Sequence, residues 1–161
     1  MEDDPSQASE IEIPEGRYSS RMDDRGRVKL PVAFKEYLEK FADKRLFVTS
    51  LDRRIAQVYP IVRWKQTKKF MENYSGDPKV AKHMAFNAAD LGAITEMDSQ
   101  ARVLFSPELR RELRMEEQPV HLYAYRGHIK VFTQAVYEED RLAAAANAAT
   151  ELEQLDLAGM N

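Results

Sequence analysis

Residues 22–31 read Met-Asp-Asp-Arg-Gly-Arg-Val-Lys-Leu-Pro, and residues 97–107 read Met-Asp-Ser-Gln-Ala-Arg-Val-Leu-Phe-Ser-Pro. Asp23 matches Asp98, Arg27 matches Arg102 and Val28 matches Val103. The agreement continues downstream, where Val58-Tyr59-Pro60 followed by Trp64 returns as Val131-Phe132-Thr133 followed by Tyr137. A period of about 75 residues, held across two separated stretches, marks a duplicated supersecondary unit. Neither half alone could bury much apolar surface, so the copies are expected to pack against each other.

Outward from the turn, each copy carries the same order of local signals. Residues 17–22 and 28–30 are short extended runs around a polar turn, which predicts a hairpin. Pro31 then opens a helix in which Phe34, Tyr37, Leu38 and Phe41 recur at helical spacing. Pro107, preceded by Ser106 as N-cap, opens its counterpart with Leu109 and Leu113. A second hairpin follows in each copy, residues 46–49 with 55–59 around Asp52 and Arg53, and residues 120–125 with 129–132 around Arg126-Gly127. Two helices link the copies: one over about residues 61–73, and one capped by Asp77 with Pro78 at its first position. The second presents Val80, Ala81, Met84, Ala85 and Ala88 on one face. A single long helix is expected over residues 134–157, with an alanine-rich middle and Leu142, Leu152 and Leu155. The predicted fold class is therefore mixed, β-rich with helices. Its organisation is a disordered acidic tail over 1–15, a first unit over 16–62, a helical linker over 63–92, a second unit over 93–136, and a C-terminal helix and tail over 137–161.

The formal charge of −3 is unevenly spread. Residues 1–15 hold Glu2, Asp3, Asp4, Glu10, Glu12 and Glu15 and no base, so residues 16–161 carry 24 bases against 21 acids. Within residues 17–31, Arg17, Arg21, Arg25, Arg27 and Lys29 face only Asp23 and Asp24. Salt screens charges beyond about 8–10 Å, so this local field decides whether the segment attracts phosphate. The absence of cysteine excludes disulfides and thiolate chemistry. No stretch approaches the ~18 apolar residues of a membrane span, and the start lacks a signal-peptide pattern, so a cytoplasmic protein without membrane partners is expected. His83, His121 and His128 lack metal-binding spacing, the six glycines form no phosphate loop, and an enzyme, metal or cofactor is not expected. His121 and His128 are expected to be partly exposed. Trp64, Tyr37, Phe41, Phe70 and Tyr74 fall at helical spacing that suits packing better than base stacking.

An Asp side chain at the start of a turn accepts hydrogen bonds from amides a few residues on, and an Arg four residues later can return a charge-assisted bond. Asp23, Gly26 and Asp98 are accordingly read as shaping their turns, with Gly26 supplying a positive φ that glycine adopts without strain. Arg27 has two readings, a salt bridge to Asp23 or a contact to DNA. The crowding of Arg17, Arg21, Arg25, Arg27 and Lys29 on a two-stranded ribbon favours DNA, since a major groove accepts such a ribbon.

The run from Gly16-Arg17-Tyr18 through Met22 to Pro31, repeated over Asp98 to Pro107, resembles the MraZ family of bacterial double SpoVT/AbrB-type proteins over about residues 16–142. The resemblance implies two SpoVT/AbrB-like repeats forming a double swapped-hairpin β-barrel, assembled as a ring-shaped homo-oligomer. It implies a cytoplasmic, nucleoid-associated transcription regulator that binds double-stranded DNA at repeated short motifs upstream of its own division and cell-wall operon. DNA contact then falls first on Arg27, next on Arg25, and by repetition on Arg102. Ala101 stands where the family usually has glycine, so the second turn is expected to take another shape and the first copy to carry more of the contact. Two rivals remain open: an oligomeric scaffold without DNA binding, and an AbrB-like antitoxin, which would pair one unit with a long tail.

Overall fold

A computed structural model describes residues 11–160. The first copy comprises β1 (Arg17–Arg21), β2 (Arg27–Lys29), α1 (Val32–Glu39), β3 (Arg45–Thr49) and β4 (Ala56–Pro60). Helices α2 (Ile61–Glu72) and α3 (Pro78–Leu91) follow. The second copy repeats the order in β5 (Ala93–Glu96), β6 (Arg102–Leu104), α4 (Pro107–Glu112), β7 (Pro119–Tyr125) and β8 (His128–Thr133). The chain ends in α5 (Gln134–Ala146) and α6 (Ala148–Leu157). Capping follows the sequence signals: the Asp77 carboxylate accepts from the Lys79 amide at 3.0 Å, and Ser106 Oγ from the Leu109 amide at 3.2 Å.

The elements form antiparallel sheets whose pairing differs from the predicted hairpins. A six-stranded sheet runs β1-β7-β8-β4-β3-β5, and β2 pairs only with β6. The hairpins β3–β4 and β7–β8 form as expected. Strands β1 and β2, however, form no ladder with each other: they are joined by an isolated bridge from Met22 to Val28 and a hydrogen bond from Ser20 Oγ to the Lys29 carbonyl, and each pairs with a strand of the other copy. Strand β1 lies antiparallel to β7, while β5 lies antiparallel to β3, so each copy lends its first strand to the other. Two ladders join like to like: β2–β6 with Val28 opposite Val103, and β4–β8 with Gln57 opposite Lys130. The physical reason for the exchange is burial, because an isolated two-stranded hairpin is marginal in water. Here Met22, Val28 and Val103 are completely shielded.

One core cluster draws on both copies, including Phe34, Tyr37 and Val58 from the first and Phe105, Leu109 and Leu122 from the second. A smaller cluster of Tyr59, Ile61, Trp64 and Ala88 fixes the linker helices to the sheet. Of the predicted packing aromatics, Tyr37, Phe41 and Trp64 are buried, whereas Phe70 and Tyr74 are exposed.

Three further differences have local causes. His121 and His128 are buried, not partly exposed. The ring nitrogens of His121 meet Arg17 Nη1 at 2.8 Å and Gln134 Oε1 at 2.6 Å, and its ring stacks on Tyr137, so its polar atoms are satisfied under α5. The expected single C-terminal helix breaks at Asn147, whose φ of −129° leaves the helical region. Asparagine has a lower helix propensity than the surrounding alanines, so a break costs less at this position. Of the acidic tail, residues 1–10 lie outside the described residues. Residues 11–15 run alongside α1, with Ile11 and Ile13 packed on the core, so the ordered chain reaches back beyond the boundary expected at residue 16.

Candidate nucleic-acid interface

The two turns are built alike. Asp23 Oδ1 accepts from the amides of Arg25 at 3.0 Å and Arg27 at 2.9 Å, while Oδ2 accepts from Arg27 Nε at 2.9 Å. Asp98 Oδ1 accepts from the amides of Gln100 and Arg102, both at 2.9 Å, and Oδ2 from Arg102 Nε at 2.8 Å. The backbone closes both turns, from the Asp23 amide to the Arg27 carbonyl and from the Asp98 amide to the Arg102 carbonyl, each at 2.9 Å. Amide donation, first from Arg27 and Arg102 respectively, holds both carboxyls below the ordinary aspartate range.

Gly26 has φ +80° and Ala101 has φ +61°. The second turn therefore keeps the shape of the first, against the expectation that Ala101 would change it. The hydrogen bonds around the Asp98 carboxylate hold the alanine in the left-handed region. The turns are also tied to each other: the Leu30 amide donates to the Ala101 carbonyl at 2.8 Å, and the Phe105 amide to the Gly26 carbonyl at 2.9 Å.

Across the β2–β6 ladder, Arg27 stands opposite Leu104 and Lys29 opposite Arg102. Val28 and Val103 point inward, so Arg27, Lys29, Arg102 and Leu104 share the outer face of the ribbon. Three cations from two copies thus lie on one surface. Each Asp–Arg pair engages Nε, and the guanidinium side chains of Arg27 and Arg102 keep 24% and 26% of their exposure. A guanidinium has five N–H donors, so the Nη groups remain suited to a second acceptor. Structural and binding readings of Arg27 are therefore compatible.

The remaining basic residues separate. Arg25 is exposed within the first turn. Arg21 is exposed at the neighbouring end of β1 and donates to the Glu117 carbonyl at 2.7 Å. Arg17 sits at the far end of β1, roughly 13 Å along the strand at ~3.3 Å per residue. There it contacts His121 and lies over the Tyr137 ring at 4.7 Å, tying β1 to α5.

Arg110 on α4 is one residue the sequence reading missed. A Cβ built on Gly26 would meet its Nη1 at 1.7 Å, so this guanidinium lies directly against the first turn. It is only 15% exposed and stands 3.8 Å from Glu116. Its signal was present in the repeat: three residues after Pro31 and Ser106 the copies carry Phe34 and Leu109, and one further on Lys35 and Arg110. Among the described residues, no group of three or more His, Asp or Glu side chains is placed to hold a metal ion. No helix among the described residues is long and apolar enough to cross a membrane.

Comparison with known proteins places this arrangement among transcription regulators. No family model matches the chain. It is 26% identical over 125 residues to a transcriptional regulator MraZ of Acidobacterium capsulatum, covering 78% of this chain and 85% of that one. It is 34% identical over 101 residues to the MraZ regulator of Koribacter versatilis, covering 60% and 66%. It is 28% identical over 132 residues to that of Ralstonia pickettii, covering 82% and 90%. The duplicated strand-exchanged unit thus belongs to a class of transcriptional regulators and not of enzymes. Within that class, the chain belongs to the MraZ family.

Proposed function

We propose that the chain is a sequence-specific double-stranded-DNA-binding regulator whose β2–β6 ribbon enters the major groove. The observation carrying this reading is the shared outer face of Arg27, Lys29 and Arg102, beside the exposed Arg25. A major groove about 12 Å wide admits a two-stranded ribbon, and Arg and Lys supply the donors that guanine edges and phosphates accept. Asp23 and Asp98 hold two of these guanidinium groups in place before DNA arrives, so less side-chain entropy is lost on binding. Arg21 and Lys29 reach flanking phosphates. Arg17 is assigned the weakest contact, because it is already engaged by His121 and Tyr137.

In this reading the two units are SpoVT/AbrB-like repeats, over 16–62 and 93–136, exchanging strands to form a double swapped-hairpin β-barrel. The helical linker spans 63–92, and residues 137–161 form the C-terminal helical segment. The regulator acts in the cytoplasm at the nucleoid, as a ring-shaped homo-oligomer on repeated motifs upstream of its own division and cell-wall operon. Repetition of a weak ribbon around a ring gains avidity on repeated sites. The strand exchange supports the fold assignment, and two complete units within one chain favour it over an antitoxin.

The test is titration of a labelled fragment from the region upstream of its own gene at several salt concentrations, with footprinting to locate the site. Log affinity is expected to fall linearly with log salt, with a slope of about −0.9 per phosphate engaged. Arg27→Ala and Arg102→Ala are each expected to cost roughly 1–3 kcal/mol where they contact base edges. Unchanged affinity in the double substitution, with the fold intact, would exclude the ribbon as the contact surface, and no binding by the unsubstituted chain would favour a scaffold without DNA binding.

A further inference from the structure

The basic ribbon leaves unexplained a set of apolar side chains at the other elements. On the linker helices Phe70 is 72% exposed, Val80 and Phe86 are also exposed, and so is Tyr74 in the turn between them. Between α2 and α3 lies a groove of about 340 Å3, lined by Lys68, Met71, Tyr74, Ala81, Lys82 and Ala85 among others. Over residues 61–91 six bases, Arg63, Lys65, Lys68, Lys69, Lys79 and Lys82, stand against Glu72, Asp77 and Asp90. The lining is mostly apolar, with Lys68 and Lys82 against the single carboxylate Glu72, and the linker around it carries a net positive charge.

Helix α6 has the complementary character. It is ten residues long and none of its residues is buried. A helix of that length is marginal in water without packing, so its order calls for a surface to lie on. Ala148, Leu152 and Leu155 fall at i, i+4 and i+7 and form one apolar stripe, and both leucines are more than half exposed. Glu151 and Asp156 flank the stripe on its two sides, Glu153 lies beyond, and no base follows Arg141.

We infer that α6 of one copy docks in the α2–α3 groove of a second copy, its leucines on Met71 and Tyr74 and its carboxylates beside Lys68 and Lys82. This rests on the oligomer of the proposed function and names the contact that builds it. The donor helix and the acceptor groove are different surfaces of the chain, so the contact is heterologous and propagates from copy to copy until the rotation closes a ring. The acidic end of one copy thereby covers the basic linker of the next and leaves the β2–β6 ribbons as the exposed positive surface.

The chain contains no cysteine, which permits a direct test. Leu155→Cys and Ala85→Cys proteins, mixed and oxidised, are expected to give a disulfide-linked heterodimer in much higher yield than either alone. Leu152→Glu/Leu155→Glu, at exposed positions, is expected to shift the full chain from oligomer to monomer by light scattering at micromolar concentration. Lys68→Glu/Lys82→Glu is expected to do the same, with assembly restored on mixing with Glu151→Lys/Asp156→Lys. An oligomer that survives Leu152→Glu/Leu155→Glu and gives no cross-link overturns the docking while leaving the ring reading intact. A monomeric unsubstituted chain overturns both. If the doubly substituted Ala85→Cys/Leu155→Cys chain cross-links only within itself, the groove takes its own helix and the second copy is excluded.

Discussion

At positions 26 and 101 the same left-handed backbone is met by different residues, and the consequences are unequal. For an L-residue this conformation costs about 1–2 kcal/mol relative to the right-handed region. Gly26 avoids the cost and also leaves room for Arg110, whose Nη1 occupies the place of a side chain. Gly26→Ala therefore adds strain and displaces a guanidinium, and is expected to destabilise the protein by about 1–3 kcal/mol in urea denaturation. Ala101→Gly relieves backbone strain but removes a buried methyl worth ~0.8 kcal/mol, so its effect on stability is expected to stay within about 1 kcal/mol. Equal destabilisation by the two would contradict this account of the turns. Protonation probes the same residues. The folded Asp23 and Asp98 carboxyls lie below their unfolded value, so their stabilising effect is complete above about pH 4 and is lost as pH falls through the lower folded values. His128 adds a second window. Burial first, and the Lys130 charge second, lower it to about 4, so the unfolded chain takes up its proton below about 6.5 while the folded chain does not. Stability is thus expected to decline from about pH 6.5 toward pH 4, and His128→Gln to flatten that limb in a pH series of urea midpoints.

Among the elements, the capped helices before the C-terminal segment and the second hairpins were legible because their signals are local. Asp77, Ser106 and the prolines after them lie within one turn of the bonds they direct, and α3 and α4 begin where those residues indicate. The partners of β1 and β2 were not legible. Alternation in residues 17–30 marks extended chain, but a pairing that brings Arg17 opposite Tyr123 spans the whole molecule and leaves no mark in either strand. The same blind spot affected the site. Copy two was expected to carry less of the contact, yet the β2–β6 ladder places Arg102 directly opposite Lys29. Arg17 looked part of the cluster because it is near in sequence, and an extended strand carries it away. The proposed binding surface is therefore a property of the ladder. Lys29→Ala and Arg102→Ala, cross-strand neighbours on one face, are expected to be non-additive in DNA affinity, as a double-mutant cycle would show. A coupling of zero would mean that the two cations act on separate stretches of backbone.

For the whole molecule, the exchange determines how the chain can unfold. Removing the second copy would strip β7 from β1, β6 from β2, β8 from β4 and β5 from β3, so every strand of the first copy would lose a neighbour. It would also expose the inner faces of Val28, Phe34 and Val58, which belong to the cluster both copies share. The halves are thus one cooperative unit despite their sequence repetition. This differs from a tandem array, where each repeat contacts only the next and stability is nearly a sum of local terms. Trp64 supplies a convenient check, being the sole tryptophan and sitting in the smaller cluster at the linker helices. Its fluorescence reports on the packing of the linker helices against the first copy, whereas far-UV circular dichroism reports on all elements. At a fixed protein concentration the two signals are expected to trace the same urea transition with the same midpoint. A fragment of residues 11–92 is expected to show neither a cooperative transition nor a native Trp64 environment. Separate midpoints, or a folded fragment, would mean that the exchanged strands contribute little and that each copy is stable alone.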